Sequence, residues 1–206
     1  MATVTCQAIV LSTRPYGDND FIVSLFTLEH GRVKGFAKGA RSSKRRFSGA
    51  LMAGRRLDLS LVLNEHGLSR LIQVEHQYPV TGPHNDLYTL ALLLYLCELV
   101  EALTPEGQPI PRLFRLFALL LEYTRDYPLD CSIRCFFEIN LLNILGYGPD
   151  LSGQPPTPLH RCLNTSKFGS VTFETREHDD ARTLLDSCFA AIIPYRLKSS
   201  LFLESV

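Results

Sequence analysis

Five apolar segments of seven to nine residues fill residues 3–76, and none is long enough to make an ordinary helix. Residues 3–11 (TVTCQAIVL) are rich in β-branched side chains and carry no helix-period stripe. The turn residues Pro15-Tyr16-Gly17-Asp18-Asn19 precede Asp20–Leu28 (DFIVSLFTL), and His30-Gly31 turns the chain into Arg32–Lys38. Leu57–Leu63 (LDLSLVL) alternates strictly, Asn64-Glu65-His66-Gly67 supplies a hairpin turn, and Leu68–His76 returns. Five short strands in so little chain predict a small barrel, either of the oligonucleotide/oligosaccharide-binding (OB) type or SH3-like.

Charge is sorted along the chain. The totals balance at 21 basic and 21 acidic residues, yet between Gly31 and Arg56 there are nine Lys/Arg and no Asp or Glu. These are Arg32, Lys34, Lys38, Arg41, Lys44, Arg45, Arg46, Arg55 and Arg56. A segregated positive block is the electrostatic footprint of a polyanion partner, although a solvated basic loop has the same composition. Period-two alternation in the third segment puts Arg32, Lys34, Phe36 and Lys38 on one face, and Val33, Gly35 and Ala37 on the other. Cations around an aromatic ring suit phosphates and a stacked base. A register shifted by one residue would instead bury Phe36. The run Gly39–Phe47 reads as a mobile basic arm able to order on a flexible strand, with Phe47 as a second stacking residue.

The remainder reads as helical, so the fold class is α+β: a five-stranded barrel over residues 1–80, then a mostly helical domain over 81–206. Asn85-Asp86 starts a helix at Leu87–Leu103, which Thr104-Pro105 closes. Further helices are expected over Arg112–Arg125, over Cys131–Leu145 between Asp130 and Gly146, over Asp179–Ile193 and over Leu197–Leu203. Residues 147–177 read as an extended loop with a short strand at Val171–Glu174.

Signals for catalysis are weak. There is no G-x-S-x-G, no Walker-type loop and no C-x-x-C. Cys131 and Cys135 sit on one helix face and read as packed thiols; His160, Arg161, Cys162 and Cys188 fall short of a zinc set. Asp179-Asp180 fits a helix N-terminus better than acid–base work. His66 and His76 read as surface residues. The N-terminus lacks a basic, then apolar, leader, so the cytoplasm is the expected compartment.

Three stretches together resemble the bacterial RecO family of DNA repair proteins. They are AIVLSTRPYGDNDFIVSLFTLEHGRVKGFAKGARSSKRRFSGAL, then LLNILGYGPDL at Leu141–Leu151, then Leu197-Lys198-Ser199-Ser200-Leu201-Phe202. The resemblance implies an OB barrel and a helical domain without enzymatic turnover or a required cofactor. It implies binding of single- and double-stranded DNA, strand annealing, recombinase loading, and the partners RecR and the single-strand-binding protein SSB, at the nucleoid. The DNA-binding candidates are Arg32, Lys34, Phe36, Lys38, Arg41, Lys44, Arg45, Arg46, Arg55 and Arg56. About six phosphate contacts would give a log–log salt slope of roughly −4 on single strands. An acidic, apolar-ended SSB tail needs a cation beside an apolar pocket, and Arg112, Arg115 and Arg134 are the candidates. Many members carry four zinc-binding cysteines after the Gly-Tyr-x-Pro-x-Leu motif. Here Gln154-Pro155-Pro156-Thr157-Pro158 follows instead, so zinc is not expected from this degenerate region. An OB-barrel RNA-binding factor is the alternative function.

Overall fold

Each of the five apolar segments becomes a strand. The computed structural model of the chain describes residues 3–43, 45–47, 49–64, 67–79, 86–152 and 157–206. β1 (Thr3–Tyr16), β2 (Asp20–Thr27), β3 (Gly31–Ala37), β4 (Arg56–Val62) and β5 (Ser69–Gln77) close into a barrel in the order β1-β2-β3-β5-β4. β3 and β5 pair in parallel, and the other pairs are antiparallel. This is an OB barrel rather than an SH3-like one.

β1 runs five residues beyond its expected end at Leu11 because it serves two partners. It pairs with β4 over Thr3–Ile9 and with β2 over Ala8–Tyr16, with a register shift between Val10 and Ser12. Such an irregularity bends a strand, here from one partner to the next. Pro15 and Tyr16 are therefore strand residues, and only Gly17–Asn19 turn.

Leucine, valine and small residues fill the barrel, among them Ala8, Val10, Val23, Leu25, Leu59 and Leu71. The interior is narrow: a methyl group at Gly35 would stand 1.9 Å from Leu71 Cδ1. Described residues of the β3–β4 connection plug the barrel mouth, where its Ser, Gly and repelling charges suggested a mobile arm. Its Ala40, Phe47, Ala50 and Leu51 join the barrel core, with Phe47 only 1% exposed. Thr13 Oγ1 donates to the Leu51 carbonyl at 2.9 Å, and the Val74 N–H to the Arg46 carbonyl at 2.8 Å. Apolar residues spaced between the cations anchor the loop, while Lys38, Arg41, Arg45 and Arg46 stay outside.

The helices are α1 (Leu87–Leu103), α2 (Pro111–Tyr123), α3 (Cys131–Leu145), α4 (Pro158–Leu163), α5 (Thr175–Ile192) and α6 (Lys198–Glu204). The Asp86 carboxylate accepts from the Thr89 N–H at 3.0 Å and from its hydroxyl at 2.6 Å, which caps α1. Its companion in the expected start signal, Asn85, lies outside the described residues. Asp130 caps α3 through the Ile133 N–H, and Gly146 at φ 80° ends it. α4 forms inside the stretch expected to be a loop, with Pro158 at its first turn. No strand forms at Val171–Glu174. α5 starts at Thr175 because Glu174 and Glu177 make a capping box, so Asp179 and Asp180 are not at its N-terminus.

Chain contacts define two compact units: Met1–Thr81 with Leu93–Phe114, and Gly82–Leu92 with Arg115–Val206. In the first, part of the barrel's outer side is covered. Phe26 points away from the barrel core and meets Phe114 at 6.0 Å between ring centroids, and the Cys97 thiol donates to the Val10 carbonyl at 3.8 Å. In the second, Phe117 packs edge-on to Phe137, and Phe168 joins Tyr123 and Phe136. Glu138 there is fully buried, held by Arg134 at 3.0 Å and by Arg182. The two guanidinium groups offset the cost of burying the carboxylate.

Candidate nucleic-acid interface

Strand register decides what the third strand shows to solvent. Gly31, Val33, Gly35 and Ala37 are buried, whereas Arg32, Lys34 and Phe36 face outward. Cross-strand pairing puts Arg14, Ile22, Phe36 and Arg70 in one row across β1, β2, β3 and β5. Tyr16 shares this face, is 56% exposed, and meets Phe36 edge-on at 5.8 Å. The outer barrel wall thus carries two aromatic rings between two exposed arginines. Arg14, Tyr16 and Arg70 were not among the sequence candidates. Extending the β1 alternation through Arg14 and Tyr16 would have found two of them. Arg70 depends on the parallel β3–β5 pairing, which has no local signal.

Two of the cations on this face already have an acidic partner. Glu106 Oε1 lies 2.6 Å from Lys34 Nζ and 3.2 Å from Arg32 Nη1, and Arg32 Nε donates to the Thr104 carbonyl at 2.8 Å. The segment reaches this place because β3 has an open edge beyond its short pairing with β5. Arg32 makes a parallel bridge to Glu106, and the Gly107 N–H donates to the Arg32 carbonyl at 2.9 Å. Gly31, at φ 65°, allows the approach: a methyl group there would lie 2.2 Å from the Gln108 carbonyl oxygen. The Lys34 hydrogen bond, aided by the charges of Arg32 and Lys34, holds the Glu106 carboxyl below its ordinary range despite partial desolvation.

The loop cations divide by role. Lys38, Arg41 and Arg45 are exposed, and their side chains form no ion pair among the described residues. Arg46 is a brace. Its Nη2 donates to the Lys38 carbonyl at 2.7 Å, its N–H donates to Ser43 Oγ, and its guanidinium lies 5.2 Å from the Phe47 ring. Phe47 is core and offers no stacking surface, a correction to the sequence reading. Lys44 lies outside the described residues. Arg55 is half-buried where the loop returns, and its carbonyl accepts from the Val10 N–H at 2.9 Å. Arg56 belongs to a different side of the barrel. Its guanidinium lies 4.2 Å from the Tyr78 ring and donates to Gln7 Oε1 at 3.3 Å. The basic block is therefore several surfaces, and the β3 face with the adjoining loop is the one that joins cations to the half-buried Phe36 and the exposed Tyr16.

Known families describe both parts of the chain. The recombination protein O N-terminal family model matches residues 1–79, and its C-terminal counterpart matches residues 84–154. A DNA repair protein RecO from Pelobacter propionicus is 42% identical over 235 aligned positions, covering 97% of this chain and 96% of that relative. The chain belongs to the RecO family. A RecO from Geobacter sulfurreducens is 37% identical over 242 positions, covering 100% of this chain and 99% of the relative. A RecO from Bacillus pumilus is 30% identical, covering 96% and 72%. Alignments longer than the 206 residues here mean that the first two relatives carry residues this chain lacks.

Among the described residues, those around α4 do not fit a zinc centre. The Thr157 N–H donates to His160 Nδ1 at 3.1 Å, so His160 carries its proton on Nε2, 3.0 Å from the Leu151 carbonyl. Both ring nitrogens are thereby used to shape the start of α4. Burial pushes the Cys162 thiol up to about 12, and no group of three or more potential ligands occurs among the described residues. Burial likewise pushes Cys6, Cys97 and Cys135 up to about 12, which makes them inert thiols at neutral pH. Cys131 differs from the packed-thiol expectation and is exposed. His76 is exposed and stacks edge-on to Tyr78, and His66 lies outside the described residues. Of the three helical arginines, Arg112 and Arg115 are exposed on α2. Arg134 is bound to Glu138 on α3. No helix among the described residues is long and apolar enough to cross a membrane.

Proposed function

We propose that this RecO-family DNA repair protein is a recombination mediator without catalytic turnover, acting on DNA in the cytoplasm at the nucleoid. Residues 1–80 bind single- and double-stranded DNA, and residues 81–206 carry partner-binding work. Phosphates meet Arg14, Lys38, Arg41, Arg45 and Arg70, while unpaired bases stack on Phe36 and Tyr16. One observation carries this reading: two solvent-facing rings in contact, flanked by exposed arginines on paired strands. Base stacking of this kind tolerates any sequence, which annealing requires. Neutralising two backbones at once lets complementary strands approach. With RecR and SSB as partners, the protein promotes annealing and recombinase loading on SSB-coated strands. For the acidic SSB tail, Arg112 and Arg115 are the more available cations, since Arg134 serves Glu138.

A strand-annealing assay with and without SSB tests the proposal. The expected result is faster annealing in both conditions, lost on Phe36→Ala with Arg45→Ala. Annealing no faster than in buffer would contradict it. The RNA-binding alternative predicts that matched RNA strands outcompete DNA for the same surface.

A further inference from the structure

We propose that the mouth of the barrel beneath the β3–β4 loop is a pocket for one unstacked base of single-stranded DNA. This rests on the DNA-binding reading above and assigns a second, separate subsite. A cavity of about 350 Å³ opens there, lined by Phe21, Phe47, Leu51 and Met52, with Arg41 on its rim. That is near the lower end of ligand pockets, roughly 300–1,000 Å³. Its floor is barrel core, and its lip is Met52, which is 58% exposed. Gly49 adds an open wall, with nothing within 4 Å of where a methyl group would stand.

Place and charge both point to a nucleotide. Phe21 pairs with Ala37, the residue after Phe36, so the mouth opens at the end of the strand that displays the stacking ring. A DNA strand laid along β3 past Phe36 arrives over Lys38 and Arg41. There its phosphate meets exposed cations and its base meets an apolar recess. On the adjoining loop Arg46 ties Ser43 to the Lys38 carbonyl, beside the rim residue Arg41. A base free of its partner can enter, whereas a paired base must first leave the duplex. The pocket therefore favours single strands over duplexes without reading sequence.

The test separates this recess from the outer face. In a Phe36→Ala/Tyr16→Ala protein, an oligo(dT) strand is compared with a strand of equal phosphate count in which every sugar lacks a base. The intact strand is expected to bind about tenfold more tightly, the scale of one stacked base. Met52→Trp, which fills the recess, is expected to reduce that ratio below about twofold with the salt slope unchanged. Met52→Gln, a smaller change at an exposed position, is expected to lower the ratio in the same direction. Equal binding of the two strands by the Phe36→Ala/Tyr16→Ala protein would overturn the pocket alone, as would a ratio that neither Met52 change moves. A wild-type protein that binds neither strand would remove the DNA-binding reading and the pocket with it.

Discussion

At the scale of single residues, Phe36 and Glu106 set opposite limits on the candidate surface. Phe36 is a half-buried ring on the outward face of β3 that meets Tyr16, and under the proposed function its contribution is to a ligand rather than to the core. Phe36→Ala is expected to cost about 1–3 kcal/mol of single-strand binding by anisotropy, with an unchanged melting temperature; unchanged affinity would speak against stacking. Glu106 occupies Arg32 and Lys34 with a carboxylate, as a phosphate would. Glu106→Gln is expected to tighten DNA binding at low salt by freeing both. Its acid dependence has a fixed sign. The folded carboxyl is held below its ordinary value of 4.5, so its contribution to stability is complete above that value and is lost as pH falls through the depressed one. Thermal melts from neutral pH to below 4.5 should therefore converge for wild type and Glu106→Gln at the acid end. Curves that stay parallel would show that the clamp contributes nothing.

At the scale of elements, local alternation was enough for the strands, and tertiary partners were needed for the rest. Leu57–Leu63 is read correctly to within a residue because one face is core and the other is not. The face of β3 follows from the same period: small residues inside, Arg32, Lys34 and Phe36 outside. The end of β1 was misplaced because Pro15 and Tyr16 carry turn chemistry locally, while hairpin pairing with β2 overrides it. The β3–β4 loop misled for a related reason. Its composition is that of a flexible arm, but four apolar residues among the charges find the barrel mouth. Glu106 is 74 residues from Arg32, and no spacing rule connects them. Phe47→Ala should destabilise the protein by about 3–5 kcal/mol in denaturant titration, whereas a mobile arm would lose almost nothing.

At the scale of the whole chain, neutrality conceals an uneven distribution. Residues 1–80 carry 11 basic and 6 acidic groups, and residues 81–206 carry 10 and 15. Not all of the basic excess is open to a polyanion, because Arg32 and Lys34 face Glu106, Arg46 braces the loop, and Arg56 sits against Tyr78. Arg14, Lys38, Arg41, Arg45 and Arg70 remain as exposed cations of the β3 face and its loop. Binding should then be electrostatic, salt-dependent and indifferent to sequence. The most direct measurement is the affinity of the full chain for a labelled single-stranded oligonucleotide across a salt series. The account predicts a log–log slope of roughly −3.5 for five phosphate contacts, steepening to roughly −5 in Glu106→Gln. No binding at low ionic strength, or an affinity that does not change with salt, would contradict it.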